Sequence, residues 1–285
     1  MSSRMPIDTR TGILNRMELH PYWHQQASGK PLFPDIEWSK PEQRTQRGRL
    51  GIVGGNKLGF AGIAESYSTA LSTGAGNVRV LLPDCLRKSI PPAMTDDVFG
   101  DCNASGSLSR EALGELRALG DWSHGVLLAG DAGRSSETAL VYSDFIREYK
   151  GPLVITRDAI DLVKNDADAL SSRPQTVLIL SFAQLQKLFQ ALYYPKMLTF
   201  SMQLMQLVEA VHAFTITYPI TIAVLHRDTL IVAHGGEVTT TKWDNPMAIW
   251  RGQTAARAAT YLLWTPRQPL EAVTASLLSE KTSNP

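Results

Sequence analysis

Glycine-rich corners with carboxylates close by carry what chemistry this sequence offers. The run GGNKLGFAG (54–62) follows a short apolar segment and leads into an amphipathic one. Glycines at a strand-to-helix turn let backbone N–H groups close on an anion, and a helix N-terminus adds a favourable field. Gly54, Gly55 and Asn56 are therefore candidates to line a phosphate-bearing ligand. The run lacks the GK[ST] ending of a Walker loop, and a tight turn without a ligand is the competing reading. A second corner, AGDAGRSSET (129–138), sets Gly130 and Gly133 around the Asp131 carboxylate, with Arg134 beside them. The two charges either sit in a cleft or belong to an exposed turn. In RDAID (157–161), Asp158 falls just beyond an apolar run, as a site carboxylate or as the N-cap of a short helix. In VTTTKWD (238–244), Thr239, Thr240 and Thr241 precede a helix that starts near Pro246. Their hydroxyls either donate to phosphate or finish a strand with β-branched residues.

The remaining reactive side chains form no familiar machinery. Histidines 20, 24, 124, 212, 226 and 234 make no HxH or HExxH pattern, and there is no GxSxG. Cys85 and Cys102 lie outside any CxxC motif, which excludes a disulfide framework and a four-cysteine zinc site. Spacing thus supplies neither a hydrolase triad nor a metal centre. The 28 Lys+Arg against 27 Asp+Glu leave a net charge of +1, without the basic excess of a general nucleic-acid or polybasic membrane binder. Hydrophobic residues at 44% and charged residues at 19% argue against wholesale disorder. No window approaches the ~20 apolar residues of a membrane span. The polar N-terminus shows no apolar signal region, so a soluble cytoplasmic protein is expected.

From residue 50 onward, short Val/Ile/Leu runs alternate with amphipathic stretches. Strands are expected at 50–53, 77–82, 125–130, 152–156, 176–180 and 221–225. Helices are expected at 61–74, 109–119, 135–149 and 200–214, with two more at 247–264 and 269–280. A hairpin about Gly235-Gly236 fills 228–241. Strands without polar alternation are buried on both faces, and their alternation with helices marks an α/β fold with a mostly parallel sheet. Ligands bind such sheets beyond the carboxyl ends of the strands, where the corners above fall. Residues 1–47 read differently. Pro6, Pro21, Pro31, Pro34 and Pro41 discourage helices and central strands, while Trp23, Phe33 and Trp38 are too apolar for a free tail. An extended arm (1–47) ahead of an α/β domain (48–285) is expected, its aromatics anchored on that domain or on a second copy. Anchoring in trans would make a homo-oligomer.

The segment GRLGIVGGNKLGFAGIAESYSTALSTGAGNVRV (48–80) resembles the opening of the ADP/ATP-dependent NAD(P)H-hydrate dehydratase family of the ribokinase-like superfamily. The family's GGS turn is matched by Gly54-Gly55-Asn56, its small-residue pair by Ala61-Gly62, and Gly74-Ala75-Gly76 is intact. Its GPGLG turn is matched by Gly130-Asp131-Ala132-Gly133. Its DADAL segment is matched by VITRDAI (154–160), which keeps Asp158-Ala159. The likeness extends to Pro269-Leu270-Glu271-Ala272. The stretch 22–42 looks like an extension carried by a divergent bacterial subfamily.

The resemblance implies a ribokinase-like fold, a three-layer α/β/α sandwich with a mostly parallel central sheet. It implies a small-molecule nucleotide as partner: ADP or ATP with Mg²⁺, beside hydrated NAD(P)H as substrate. The implied activity is a lyase reaction of metabolite repair, in which the nucleotide phosphorylates the hydroxyl of the damaged cofactor and phosphate is then eliminated. The sequence departs where that chemistry would sit. The family's GG[TS]GD motif aligns with IWRGQ (249–253), keeping only Gly252 and placing Gln253 where the aspartate stands. A carboxamide does not take up a proton as a carboxylate does, and general-base help is worth about 10²–10⁴-fold. HPGE becomes Ser181-Phe182-Ala183-Gln184, and the KG lysine becomes His226-Arg227. A shifted placement makes Asp244 the catalytic base, with Thr239, Thr240 and Thr241 as donors. Two functions follow from the resemblance: an NAD(P)H-hydrate dehydratase-like enzyme, or a catalytically lapsed nucleotide-binding or interaction module on the same fold. A kinase for another hydroxylated small molecule is a third.

Overall fold

Apolar runs buried on both faces build the centre of this computed structural model, which describes residues 20–27 and 29–278. Ten strands of the described residues form one sheet. They are β1 (Trp23–Gln26), β2 (Arg49–Gly54), β3 (Asn77–Pro83), β4 (Asp97–Gly100) and β5 (Gly125–Gly130), then β6 (Leu153–Thr156), β7 (Thr176–Leu180), β8 (Thr221–His226), β9 (Thr229–His234) and β10 (Glu237–Lys242). Their order is β1-β10-β9-β8-β7-β6-β5-β2-β3-β4. From β8 to β4 every pairing is parallel. β9 runs antiparallel to both of its neighbours, and β1 lies parallel to β10.

The helices are α1 (Ala61–Thr73), α2 (Leu113–Trp122), α3 (Ser136–Glu148), α4 (Asp158–Leu162) and α5 (Ala167–Ser171), then α6 (Phe182–Ala191), α7 (Leu204–Thr217), α8 (Pro246–Trp250), α9 (Gln253–Trp264) and α10 (Pro269–Ser276). They cover the two faces separately. Val53, Leu128, Ile155 and Leu178 point to the face carrying Leu116, Phe145, Ile160, Leu185 and Phe214. Ile52, Leu127, Val154 and Val177 point to the face carrying Ile63, Ala256, Ala259 and Val273. Adjacent residues of one strand thus enter opposite cores, as the two-residue period requires. The alanines of α9 (Ala255, Ala256, Ala258, Ala259) are all buried and let that helix lie close on the sheet. This is the expected α/β/α sandwich with a mostly parallel sheet.

The arm packs on its own chain. β1 extends the sheet beyond β10, with Trp23 opposite Val238. The Trp23 indole donates to Thr240 Oγ1 at 2.9 Å, and Gln26 Nε2 donates to Thr274 O at 2.7 Å. Glu37 accepts from the Tyr261 hydroxyl, Lys40 Nζ donates to Thr73 O, and Ile36 is buried. Trp38, expected as an anchor, is instead 87% exposed. The part of the arm before residue 20, including Pro6, lies outside the described residues.

Some boundaries differ from expectation for local reasons. The helix expected at 247–264 is two helices, broken at Gly252, whose φ of +83° ends α8 and starts α9. The helix expected at 200–214 begins at Leu204 and runs to Thr217. β4 was not expected, and it is a four-residue edge strand with only Gly100 buried. No helix among the described residues is long and apolar enough to cross a membrane.

Candidate functional site

The carboxyl ends of β2, β5, β6, β7 and β8 emerge on one side of the sheet, and the turns there are interlocked. Gly55 N–H donates to Gly130 O at 3.0 Å. A Cβ on Gly54 would lie 2.1 Å from that same oxygen, so only glycine permits this approach of two backbones. Gly133 N–H donates to Asp158 Oδ2 at 3.1 Å, joining the turns after β5 and β6. Asn56 and Ser107 border Gly133 from the β2 side. The expected residues Gly54, Gly55, Asn56, Gly130, Asp131, Gly133 and Asp158 therefore share one corner.

Asp158 is not a helix cap. Arg157 holds the cap position of α4, and the Asp158 side chain reaches back across the corner to Gly133. Burial pushes its carboxyl above the usual carboxylate range, against the opposing pull of Arg157. Its Oδ1 is buried without a hydrogen-bond partner.

Arg157 is the residue that sequence reasoning passed over. Its Nη2 donates to Asp131 Oδ1, while Asp131 Oδ2 accepts the Gly62 N–H at 2.8 Å. A Cβ on Gly62 would lie 1.7 Å from Arg157 Nη1, so the guanidinium lies directly on the first turn of α1. The chain thus supplies its own carboxylate to the N-terminus of α1, where a ligand anion would otherwise be favoured, and neutralises it with its own cation. Asp131 and Arg157 hold φ values of +52° and +57° to do so. Such backbone costs roughly 1–3 kcal/mol per non-glycine residue.

The start of α9 carries a second internal acid. Gln253, the first residue of that helix, donates from Nε2 to Glu65 Oε2 at 2.5 Å. Arg251 Nη1 stands 3.6 Å from Glu65 Oε1. Ser66 Oγ donates to Gly62 O at 2.7 Å and lies 3.5 Å from Gly252 O, tying α1 to the α9 start. A carboxylate held here repels a phosphate that would use the free N–H groups of α9. No group of three or more His, Cys, Asp or Glu suited to a metal occurs among the described residues. The start of α9 thus offers a magnesium-bound phosphate one carboxylate, already engaged by Gln253 and Arg251.

After β7, Ser181 and Gln184 form a reciprocal capping box on α6, and Gln184 Nε2 also donates to Arg157 O at 2.8 Å. His226, the last residue of β8, is buried and donates from Nε2 to Met202 O at 3.0 Å. Gln184 thus braces the corner at Arg157, while His226 turns to Met202.

Two hollows flank residues 157 and 158. A small one of about 100 Å³ is lined by Thr156, Arg157, Ser181, Phe182, Gln184 and Trp250, among others. Trp250 is half exposed at its rim and does not fill it. On the other side opens a polar cavity of about 700 Å³, bordered by Gly133, Arg134, Asp158, Asp161, Lys164 and Lys187 among others. Lys187 Nζ pairs with Asp161 at 2.9 Å.

The threonines lie elsewhere. Thr239, Thr240 and Thr241 are buried within β10, opposite Val232, Ile231 and Leu230 of β9. Their hydroxyls engage Thr274, Trp23 and Gln26. They finish a strand, and the helix near Pro246 starts only after a further link. Asp244 is exposed in that link and takes no part in the corner contacts described above.

No protein-family model matches the chain. The bifunctional NAD(P)H-hydrate repair enzyme Nnr of Methanothermobacter thermautotrophicus is 27% identical over 121 residues, spanning 41% of this chain and only 23% of that enzyme. Among solved structures, a ribokinase-like superfamily protein of Enterococcus faecalis superposes with a TM-score of 0.69 at 16% identity, covering 91% of this chain and 87% of that one. The ADP/ATP-dependent NAD(P)H-hydrate dehydratase of Bacillus subtilis, co-crystallised with ATP/Mg²⁺, superposes with a TM-score of 0.55 at 10% identity, covering 87% and 86%. With the three layers and the interlocked corners already in view, these likenesses establish that the chain has a ribokinase-like α/β fold with NAD(P)H-hydrate dehydratases among its structural neighbours.

Proposed function

We propose that this chain is a catalytically lapsed relative of the NAD(P)H-hydrate dehydratases, one that binds an anionic nucleotide-class ligand and does not transfer phosphate. One observation carries the reading: Gln253 opens α9 and spends its carboxamide on Glu65. A carboxamide so engaged takes no proton from a substrate hydroxyl. The internal acids Asp131 and Glu65, beside the starts of α1 and α9, support the same reading.

The ligand half rests on the polar cavity. Its volume of about 700 Å³ suits a drug-sized or nucleotide-sized molecule. Arg134, Lys164 and Lys187 bring positive charge to its walls, alongside Asp158, Asp161 and Asp166. Gly133 and Asp158 form its inner side, backed by Gly54, Gly55, Asn56, Gly130 and Asp131. ADP or ATP enters the proposal through the B. subtilis structure that holds ATP/Mg²⁺. Titration calorimetry with ADP and with ATP tests it, each with and without Mg²⁺. The expected result is binding that survives removal of Mg²⁺ and weakens about tenfold in the Lys164→Ala/Lys187→Ala variant, a change of about 1.4 kcal/mol. Absence of heat with both nucleotides would remove the ligand half, and full affinity in the variant would move it out of this cavity.

A further inference from the structure

The two cysteines, unrelated by any sequence motif, meet in the fold. β3 and β4 run parallel, and Pro83 and Gly100 are their last paired residues. Each chain carries a cysteine two residues further on, Cys85 in the turn Asp84–Leu86 and Cys102 beyond β4. At the Pro83/Gly100 pair the strands stand at the usual spacing of about 4.8 Å, and a disulfide spans ~4.4–6.8 Å between Cα atoms. The Cys102 N–H donates to Asp84 Oδ1 at 3.1 Å. Cys85 Sγ also reaches Gly106 O at 3.5 Å. Cys85 is exposed and Cys102 partly buried.

We propose that Cys85 and Cys102 are a redox modification site, a thiol pair that closes to an intramolecular disulfide by exchange with a small disulfide such as oxidised glutathione. Cys85, as the accessible thiolate, attacks one sulfur of oxidised glutathione and expels one glutathione thiolate. Cys102, as thiolate, then attacks the Cys85 sulfur of the mixed disulfide and expels the second. In balance, two protein thiols and one glutathione disulfide become one protein disulfide and two glutathione thiols. The hydrogen bond to Asp84, followed by burial, pushes the Cys102 thiol up to about 11. The second step is therefore slow near neutrality and quickens as pH rises.

Closure would reach the glycine corner. The loop after Cys102 accepts the Lys57 N–H at Gly106 O, 2.9 Å away, and the Lys57 ammonium at Ala104 O, 3.1 Å away. Its Ser107 borders Gly133. A covalent tie at Cys102 thus fixes a loop that supports Asn56 and Gly133.

The test uses the full chain, incubated with oxidised glutathione at mildly alkaline pH and read by intact mass, peptide mapping and thermal melting. The expected product has lost two hydrogens, holds no glutathionyl group, joins the Cys85 and Cys102 peptides, melts higher and reverts with dithiothreitol. Cys102→Ser should instead keep one glutathionyl group on Cys85 and show no rise in Tm. A wild-type protein that stays reduced, retains glutathione on either thiol, or links Cys85 between two chains would overturn the proposal.

Discussion

Asp131 and Arg157 show how much a single pair decides at this corner. Each adopts a left-handed backbone, and together they satisfy the Gly62 N–H and cover the first turn of α1. Their side chains are only 19% and 21% exposed, so solvent screens them incompletely. Asp131→Ala removes an acceptor and strands a guanidinium, and is expected to lower stability by about 1–3 kcal/mol in chemical denaturation. An unchanged midpoint would contradict that role. Asp158 makes a pH-dependent prediction. Burial raises its carboxyl in the folded state, so the folded protein keeps the proton to higher pH than the unfolded chain. The protonated form favours folding, and that contribution is complete below the unfolded carboxylate range and lost as pH rises through the folded value. Asp158→Asn carries no such charge. Its Tm relative to wild type should climb as pH rises from about 4 towards neutrality. A gap that stays flat or shrinks across that window would count against a desolvated carboxylate. At this scale the sequence was informative about the glycines, whose close approaches need no side chain. It was silent on the ion pair, because Asp131 and Arg157 belong to turns after different strands and no spacing rule links them.

Elements were legible where both faces are buried. β5 is GVLLAG with every residue buried, and an unbroken apolar run of that length admits few other placements. β4 and β1 were not legible, since short edge strands with mixed exposure lack that signal. The threonines of β10 leave two roles open in sequence, because a hydroxyl-rich run serves equally to donate to phosphate or to finish a strand. Their partners on β1 and α10 come from segments more than thirty residues away in sequence. The arm strand also has an energetic role. β1 covers β10, which would otherwise present an unpaired edge. Trp23→Ala removes the indole bond to Thr240 and part of the packing beside Val238, and is expected to cost about 2 kcal/mol. Aggregation should then rise on heating, as followed by light scattering. A variant that melts and scatters like wild type would show that β1 contributes little.

At the scale of the whole molecule, a ribokinase-like scaffold carries the chain's own charges at two of its helix starts. Its layers superpose on ribokinase-like proteins across most of their length. Its glycine corners after β2, β5 and β6 converge at one side of the sheet. At the two helix starts, however, the chain has placed its own charges: Asp131 with Arg157 on α1, and Glu65 with Gln253 beside α9. The scaffold was readable from the periodicity of apolar residues. The charges at the start of α9 were readable only in part, through Gln253, because Glu65 stands 188 positions away from it. The most direct measurement is recovery of NADH absorbance from hydrated NADH, with ADP or ATP and Mg²⁺, by the wild-type chain. The account predicts no recovery above the uncatalysed rate with either nucleotide. Sustained, enzyme-dependent recovery would contradict it and return the chain to the working dehydratases.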